Sequence, residues 1–465
     1  MNHEEIKVEL NKVGCGFCLA KWTQVTIHLQ MGQTHSCHHP SPHEISLFEV
    51  KRNPSALHNT KFKKEKRREM LNGQRPSECE YCWNVEDISD RFSDRIYKSQ
   101  EPWSQPFLEE IKNLDWRTDY NPKYVEVSFS NICNFKCSYC GPSYSSSWTQ
   151  ESKKYGGYPT DDNFNDISNL EEYGKMPLDH ENNPYLDAFW KWWPDLYRDL
   201  HTFRITGGEP LLSPDFWKIL EYIISQNNTN KELKLGINTN LGVTDVLIDK
   251  LIEKIQILEK DDLVKELIIY TSCDTAGKQA EYIRFGLDYE KWKFNIDKIL
   301  SNCKKVSIVN MATFNALSIS KYKELLYFIY EMKKKHNSAL RYWCPSIFID
   351  SSYLRYPSFN TVKILPLDWK NKVDDLANFA ESLRMIKDWE GDDWESWYNG
   401  YTDIEIDKIK RISDWMLEPD SEEILNTNRK NFYRFFIEYD KRRSTNFKDI
   451  FPELSDFFDD CGKII

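Results

Sequence analysis

Three cysteines close behind an apolar, β-type run constrain this chain more than any other feature. The run is Tyr124–Phe129, and Cys133, Cys137 and Cys140 follow it with C-x3-C-x2-C spacing. Loops that leave the C-terminal ends of strands are where α/β barrels place their chemistry. Three thiolates are one short of the four that normally hold a four-iron, four-sulfide cluster, so one iron would stay open to a small molecule. The plain alternatives are a zinc knuckle, which wants a fourth Cys or His nearby, and three incidental buried thiols. No Cys or His follows Cys140 closely.

From Tyr124 onward, β-rich runs alternate with longer amphipathic segments, the pattern of βα units around a parallel sheet. Strands are predicted near Tyr124–Phe129, Thr202–Ile205, Leu233–Asn238, Leu267–Ser272, Val306–Met311 and Ala339–Trp343. Helices are predicted at Pro214–Gln226, Thr244–Lys260 and Ser320–Lys335. Residues 143–181, rich in Ser, Tyr, Gly and Asp, are too long for an ordinary βα loop and read as an insertion beside the site. Residues 367–465 read as an acidic, Trp-rich helical extension, as in Asp388–Trp394. Phe189, Trp190, Trp192 and Trp193 could line a pocket, although helical spacing reads first as a buried face.

The second predicted strand ends in Arg204-Ile-Thr-Gly207-Gly208-Glu209-Pro210. With the C-x3-C-x2-C run and the aromatic Tyr139 before its last cysteine, this segment resembles the radical S-adenosylmethionine (SAM) superfamily. That resemblance implies a partial (β/α)6 barrel over residues 123–366, with Cys133, Cys137 and Cys140 holding a [4Fe–4S] cluster whose open iron chelates SAM. It implies that Gly207, Gly208 and Glu209 meet the methionyl ammonium, and more loosely that Asn238, at the third strand's end, contributes. Ser272, Asp274 and, ten residues later, Arg284 resemble the family's ribose and carboxylate contacts. The usual glycine after the Asp is missing, and ordinary capping by Ser272 and Asp274 stays open as an alternative.

Residues 1–90 hold a second cysteine group and look like a hairpin and helix: Val25–Leu29 is strand-like, and Lys61–Leu71 is helix-like, ending at Asn72-Gly73. Cys18 and Cys37 flank Gly32, with thirteen residues before the glycine and four after it, and Cys79-x2-Cys82 follows. This group resembles the twitch domain, a half-length SPASM module, which implies a closed auxiliary [4Fe–4S] cluster on Cys18, Cys37, Cys79 and Cys82. In relatives the module follows the barrel; here it precedes it, joined by a polar connector over residues 91–122. Structural zinc on Cys15, Cys18, Cys79 and Cys82 is the rival, and His35, His38, His39 and His43 could join such a site.

Sixty-two basic against 73 acidic residues give a net charge of −11, so no nucleic-acid partner is expected. The basic run Lys61–Arg68 reads as a solvated helix face. No apolar run approaches the ~20 residues of a membrane span, and no signal-peptide core is present, so a cytoplasmic protein without a membrane partner is expected. A disulfide framework does not suit twelve cysteines in so long a chain without an export signal. Cys15, Cys273, Cys303, Cys344 and Cys461 have no assigned role, although Cys344 or Cys461 could exchange a hydrogen atom with a substrate radical. The expected activity is reductive cleavage of SAM to a 5′-deoxyadenosyl radical that abstracts hydrogen from a peptide or small polar substrate, fed by a flavodoxin- or ferredoxin-type electron donor. The alternatives are a small-alcohol dehydrogenase of the radical SAM twitch type and a non-catalytic, metal-stabilised binding protein.

Overall fold

Apolar runs at a two-residue period become strands here, and the amphipathic stretches between them become helices that cover the sheet. The computed structural model describes residues 1–226, 229–336, 345–385 and 399–464. Its strands are β1 Gln24–His28, β2 Gln33–His35, β3 His43–Glu44, β4 Tyr124–Ser128, β5 Lys136–Cys137, β6 Thr202–Thr206, β7 Lys234–Asn238, β8 Glu266–Thr271, β9 Arg284–Phe285, β10 Val306–Phe314 and β11 Ile347–Tyr353. The chain is mixed α/β with a largely parallel main sheet. It divides into two compact units: Met1–Ser130 with Pro177–Gly236 and Leu263–Lys265, and Asn131–Met176 with Ile237–Asp262 and Glu266–Ile465.

In the first unit β4 is central. It pairs in parallel with β1 (Gln24↔Tyr124 to His28↔Ser128) and with β6 (Tyr124↔Thr202 to Ser128↔Thr206). The antiparallel β2 and β3 extend the sheet beyond β1. The N-terminal hairpin therefore continues the sheet to which the first predicted strand belongs. Because side chains alternate across a sheet, Val25, Ile27, Val125, Val127, Phe203 and Ile205 share one face, and all are buried. Helix Pro184–Asp199, started by Asn183 and Pro184, covers that face. Trp193 lies 4.7 Å from the Phe203 ring and Phe189 lies 5.1 Å from Phe129. The buried-face reading of that aromatic run is the one the structure displays. The opposite face carries Gln24, Thr26, His28, Glu126, Ser128, Arg204 and Thr206.

A second core lies under the N-terminal helix His3–Val13, where Ile6, Leu10, Phe17, Trp22 and Met70 pack with Cys79, Cys82 and Trp83. Ile96, Leu108, Ile111 and Tyr120, from the stretch read as a connector, join this core through helices Asp94–Gln100 and Leu108–Lys112.

In the second unit β10 pairs in parallel with β8 and β11. Helices Asp245–Lys260, Tyr289–Asn302 and Tyr322–Lys335 bury stripes such as Ile248, Leu251, Ile252, Ile255 and Leu258, at helical spacing. The predicted strand Ala339–Trp343 and the stretch Asp388–Trp394 lie outside the described residues; β11, Ile347–Tyr353, holds the parallel position beside β10. The 143–181 segment contains helices Ser146–Tyr155 and Ile167–Glu172. C-terminal helices Asp403–Leu417 and Glu422–Arg443 pack in the same unit. Among the described residues no helix is long and apolar enough to cross a membrane.

Candidate metal centres

The three-cysteine loop is held from several sides within its unit. Strand β5 pairs with β9, placing Cys137 opposite Arg284. Helix Ser146–Tyr155 grips the loop from behind: the Ser147 hydroxyl donates to the Cys133 carbonyl (2.7 Å), and the Trp148 indole donates to the Cys137 carbonyl (3.0 Å). The Cys133 amide donates to Ser146 Oγ (3.2 Å), and Asn165 Nδ2 donates to the Cys140 carbonyl (2.9 Å). All three cysteines are half-buried. The Phe135 amide donates to Cys133 Sγ (3.4 Å), the kind of N–H···S contact that tunes an iron–sulfur ligand. Burial pushes the Cys137 thiol up, and burial with the neighbouring Cys137 pushes that of Cys140 up to about 12. Binding a metal reverses this by taking the thiolate form.

Beside Cys137 lies a saturated carboxylate. Arg284 donates to Asp274 twice, Nε to Oδ2 at 2.8 Å and Nη2 to Oδ1 at 2.9 Å. The Tyr139 hydroxyl gives Oδ2 a further bond of 2.7 Å, and the Thr313 amide gives Oδ1 one of 2.8 Å. Those four bonds fill the roughly four lone-pair directions of a carboxylate. Arg284 Nη1 then points at Cys137 Sγ, 3.7 Å away. Burial raises the Tyr139 phenol far above its ordinary range. Tyr139, Asp274 and Arg284 thus form one buried network against a cysteine ligand candidate. Ser272 is half-buried just beyond β8, and Asn238, the last residue of β7, is half-buried too.

The Gly-Gly-Glu segment belongs to the other unit. Gly207 has φ +119°, and a Cβ there would lie 2.8 Å from both Ser128 Oγ and the Ser130 carbonyl, so a side chain is excluded on two counts. The Gly208 amide donates to the Ser130 carbonyl (3.1 Å). Glu209 is buried, and its Oε1 accepts from the Leu211 amide (3.1 Å).

In the same unit Cys18, Cys37, Cys79 and Cys82 line one hollow with Ala20, Trp83, Arg95 and Lys98. Burial pushes the four thiols up, Cys82 to about 12, and for Cys18 the neighbouring Cys82, Cys37 and Cys79 add to it. Exposed Cys15 instead donates to the Gly73 carbonyl (3.8 Å). Gly32, between Cys18 and Cys37 in sequence, has φ +64°, and a Cβ would lie 2.2 Å from the Tyr185 ring. Lys21 is buried and paired with Glu78. Burial works against its charge, but Cys79, Glu78 and Cys37 outweigh burial and hold the ammonium above its usual range. Among the histidines near Cys37, His39 bonds Asp94 (2.8 Å) and His43 bonds Thr60 (2.9 Å).

No family model matches the chain. A protein named GTP 3′,8-cyclase, from Pasteurella multocida (strain Pm70), is 30% identical over 123 residues, covering 26% of this chain and 28% of its own length. That protein is a radical SAM enzyme. The likeness supports the radical SAM superfamily.

The donors are thiols, the ligand type that iron–sulfur clusters take as thiolates. Three cysteines share one braced loop, and four line one hollow together with Asp94, Lys98 and Arg95, the last paired with Glu86 at 2.8 Å. Among the described residues, no three or more His, Cys, Asp or Glu converge as ligands of a single ion. Of the two cysteines considered for hydrogen transfer, Cys344 lies outside the described residues. Cys461 is buried in helix Ser455–Lys463. Sequence reasoning missed Glu151, Trp148, Asn165, Thr313 and Arg443 as supports of the loop, because their partners are distant in sequence. The run Ser145-Ser146-Ser147 was the one local signal, since Ser145 caps the bracing helix.

Proposed function

We propose that this chain is a radical SAM enzyme with a partial (β/α)6 barrel, built on β4, β6, β7, β8, β10 and β11, and an N-terminal twitch-like module carrying an auxiliary cluster. It abstracts hydrogen from a peptide or small polar substrate, oxidising or modifying it. The observation that carries this reading is the braced loop of Cys133, Cys137 and Cys140 with Arg284 aimed at Cys137. The partial likeness to a radical SAM relative supports it.

In this reading Cys133, Cys137 and Cys140 hold a [4Fe–4S] cluster; when bound, it supplies the electron that splits SAM into methionine and a 5′-deoxyadenosyl radical. Gly207, Gly208 and Glu209 offer a close backbone approach and a buried carboxylate to the methionyl end, with Tyr139, Asn238 and Ser272 as further SAM contacts. Asp274, with its lone pairs filled, acts by positioning: it fixes Arg284 beside Cys137 and orients the Tyr139 hydroxyl. Cys18, Cys37, Cys79 and Cys82 hold the auxiliary cluster, closed by four thiolates and suited to electron transfer. The electron donor is a flavodoxin- or ferredoxin-type protein.

Counting metal after anaerobic reconstitution tests this. About eight irons and eight sulfides per chain, without zinc, is the expected result. About four irons and one zinc would make the N-terminal site structural. Release of 5′-deoxyadenosine from SAM by wild-type protein, lost when Cys133, Cys137 and Cys140 become Ala, tests the reaction. Release that survives the triple substitution would overturn the assignment.

A further inference from the structure

The turn between helices Ser146–Tyr155 and Ile167–Glu172 follows a path that few side chains tolerate. Gly156, Asn163 and Asn165 all have positive φ, at +76°, +47° and +63°. Asparagine enters that left-handed region more readily than most residues, but it still prefers others, so neighbours must hold it there. Helix Glu422–Arg443 supplies the hold, within the same unit. Asn431 Oδ1 accepts from the Asp161 amide (3.1 Å), and Arg434 donates to the Asp161 carboxylate (2.9 Å). Arg442 donates to the carbonyls of Gly156 (3.0 Å) and Gly157 (2.9 Å). Buried Phe164 packs its ring on Phe435, 5.7 Å between centroids.

At the far end of the turn Asn165, 9% exposed, reaches the cysteine loop. Its Nδ2 donates to the Cys140 carbonyl (2.9 Å), and a Cβ on Gly141 would lie 2.4 Å from its Oδ1. The carboxamide is thus wedged against the peptide that joins Cys140 to Gly141. Fixing that carbonyl fixes the peptide plane after Cys140, and with it the backbone from which the thiol projects. We propose that Asn165 is a positioning residue for Cys140, held in place by helix Glu422–Arg443, so that filling the three-cysteine centre and docking this helix reinforce each other. The helix thereby registers whether the centre is filled. Linkage is reciprocal, so whatever the docked helix adds to metal affinity, the bound metal returns to docking. That the filled centre is a four-iron cluster rests on the radical SAM reading above; the contact between Asn165 and Cys140 does not.

Two variants of the full-length protein test this. Asn165→Gly removes the carboxamide while easing the left-handed backbone, so the turn itself survives. Asn431→Ala with Arg434→Ala loosens the helix's hold on Asp161. In metal-free protein, alkylation of Cys140 by iodoacetamide, read by peptide mass spectrometry, is expected to run about tenfold faster in both, as for one lost hydrogen bond. After anaerobic reconstitution, both should lose iron to a chelator about tenfold faster than wild type, with a changed EPR spectrum of the reduced centre. Hydrogen exchange in wild type should slow over residues 156–166 and 422–443 on reconstitution. That slowing should vanish when Cys133, Cys137 and Cys140 become Ala. Asn165→Gly alone carries the test if the double variant does not fold. Wild-type alkylation rates in Asn165→Gly, or equal exchange in empty and filled wild type, would each overturn the inference. Absence of 5′-deoxyadenosine release by wild type would sink the radical reading and leave the alkylation result standing, so the two fail separately.

Discussion

Arg443 stands 3.0 Å from Glu151, an ion pair that ties the last turn of a C-terminal helix to the helix behind the cysteine loop. Both side chains are buried, at 0% and 3% exposure. Glu151 also takes Lys136 at 2.7 Å and the Tyr158 hydroxyl at 2.6 Å. Burial works against its charge, but Arg443 foremost, with Lys136 and Tyr158, holds the carboxyl below its ordinary range. The C-terminal segment is therefore a structural brace for the loop that carries Cys133, Cys137 and Cys140.

Removing Arg443 takes away the foremost partner of the buried Glu151 carboxylate. Arg443→Ala is expected to lower the unfolding free energy by about 3 kcal/mol. A denaturant titration of the apoprotein measures this, and iron retention after reconstitution should fall with it. Unchanged stability would mean that Lys136 and Arg442, 3.8 Å from Glu151, neutralise the carboxylate without Arg443.

Asp274→Asn keeps the shape of the carboxylate but removes the charge that fixes Arg284. Outer-shell changes of this kind cost about 10- to 100-fold in metal affinity or activity. The expected results are faster iron loss to a chelator and a changed EPR spectrum of the reduced cluster with SAM. Arg284→Lys should behave alike, since an ammonium cannot supply the paired Nε and Nη2 bonds.

The N-terminal histidines predict acid sensitivity. Burial holds His28 at about 4 and His43 at about 3, against an ordinary 6.5. Their folded values are depressed, so the folded state keeps both neutral, and the stability they contribute is present above 6.5 and lost as pH falls toward 4. Denaturation midpoints of the apoprotein should drop across that window, and His43→Gln should flatten the drop. A midpoint independent of pH between 6.5 and 4 would contradict the burial of these rings.

If Cys18, Cys37, Cys79 and Cys82 hold a cluster as proposed, Lys21, whose ammonium Cys79 and Cys37 stabilise, should bear on its potential. A buried cation favours the more negative, reduced state, so Lys21→Met is expected to lower the midpoint potential. A loss of about 1.4 kcal/mol corresponds to about 59 mV for a one-electron couple. An EPR-monitored redox titration of the auxiliary signal checks the sign. No shift would place the ammonium too far from the cluster to act.

Sequence reading went furthest where the relevant interaction is local. The strands β4, β6, β7, β8 and β10 follow from two-residue alternation, and helix Lys61–Leu71 has its predicted bounds because Thr60 caps it and Asn72-Gly73 ends it. The Arg443–Glu151 pair spans 292 positions, and nothing in either neighbourhood announces the other. Thr313 supports Asp274 through a backbone amide, which no side-chain pattern encodes. Residues 91–122 looked like a connector because most of them are polar, yet Ile96, Leu108, Ile111 and Tyr120, with Phe92, Phe107 and Leu114 packed beside them, anchor them in the N-terminal core.

The pairing of Gln24 with Tyr124 also puts a clock into the making of this protein. At roughly 5 to 20 residues per second, the ribosome needs roughly 5 to 20 seconds to carry the chain from β1 to its parallel partner. Through that interval the hairpin of β1 and β2 waits with Val25 and Ile27 uncovered and one edge open. The helix that will shield them, Pro184–Asp199, emerges later still. The cysteines of the N-terminal hollow, the last of them Cys82, are all synthesised before either partner arrives. Any metal that these cysteines take during synthesis would therefore meet a half-built sheet, its β1 edge still open.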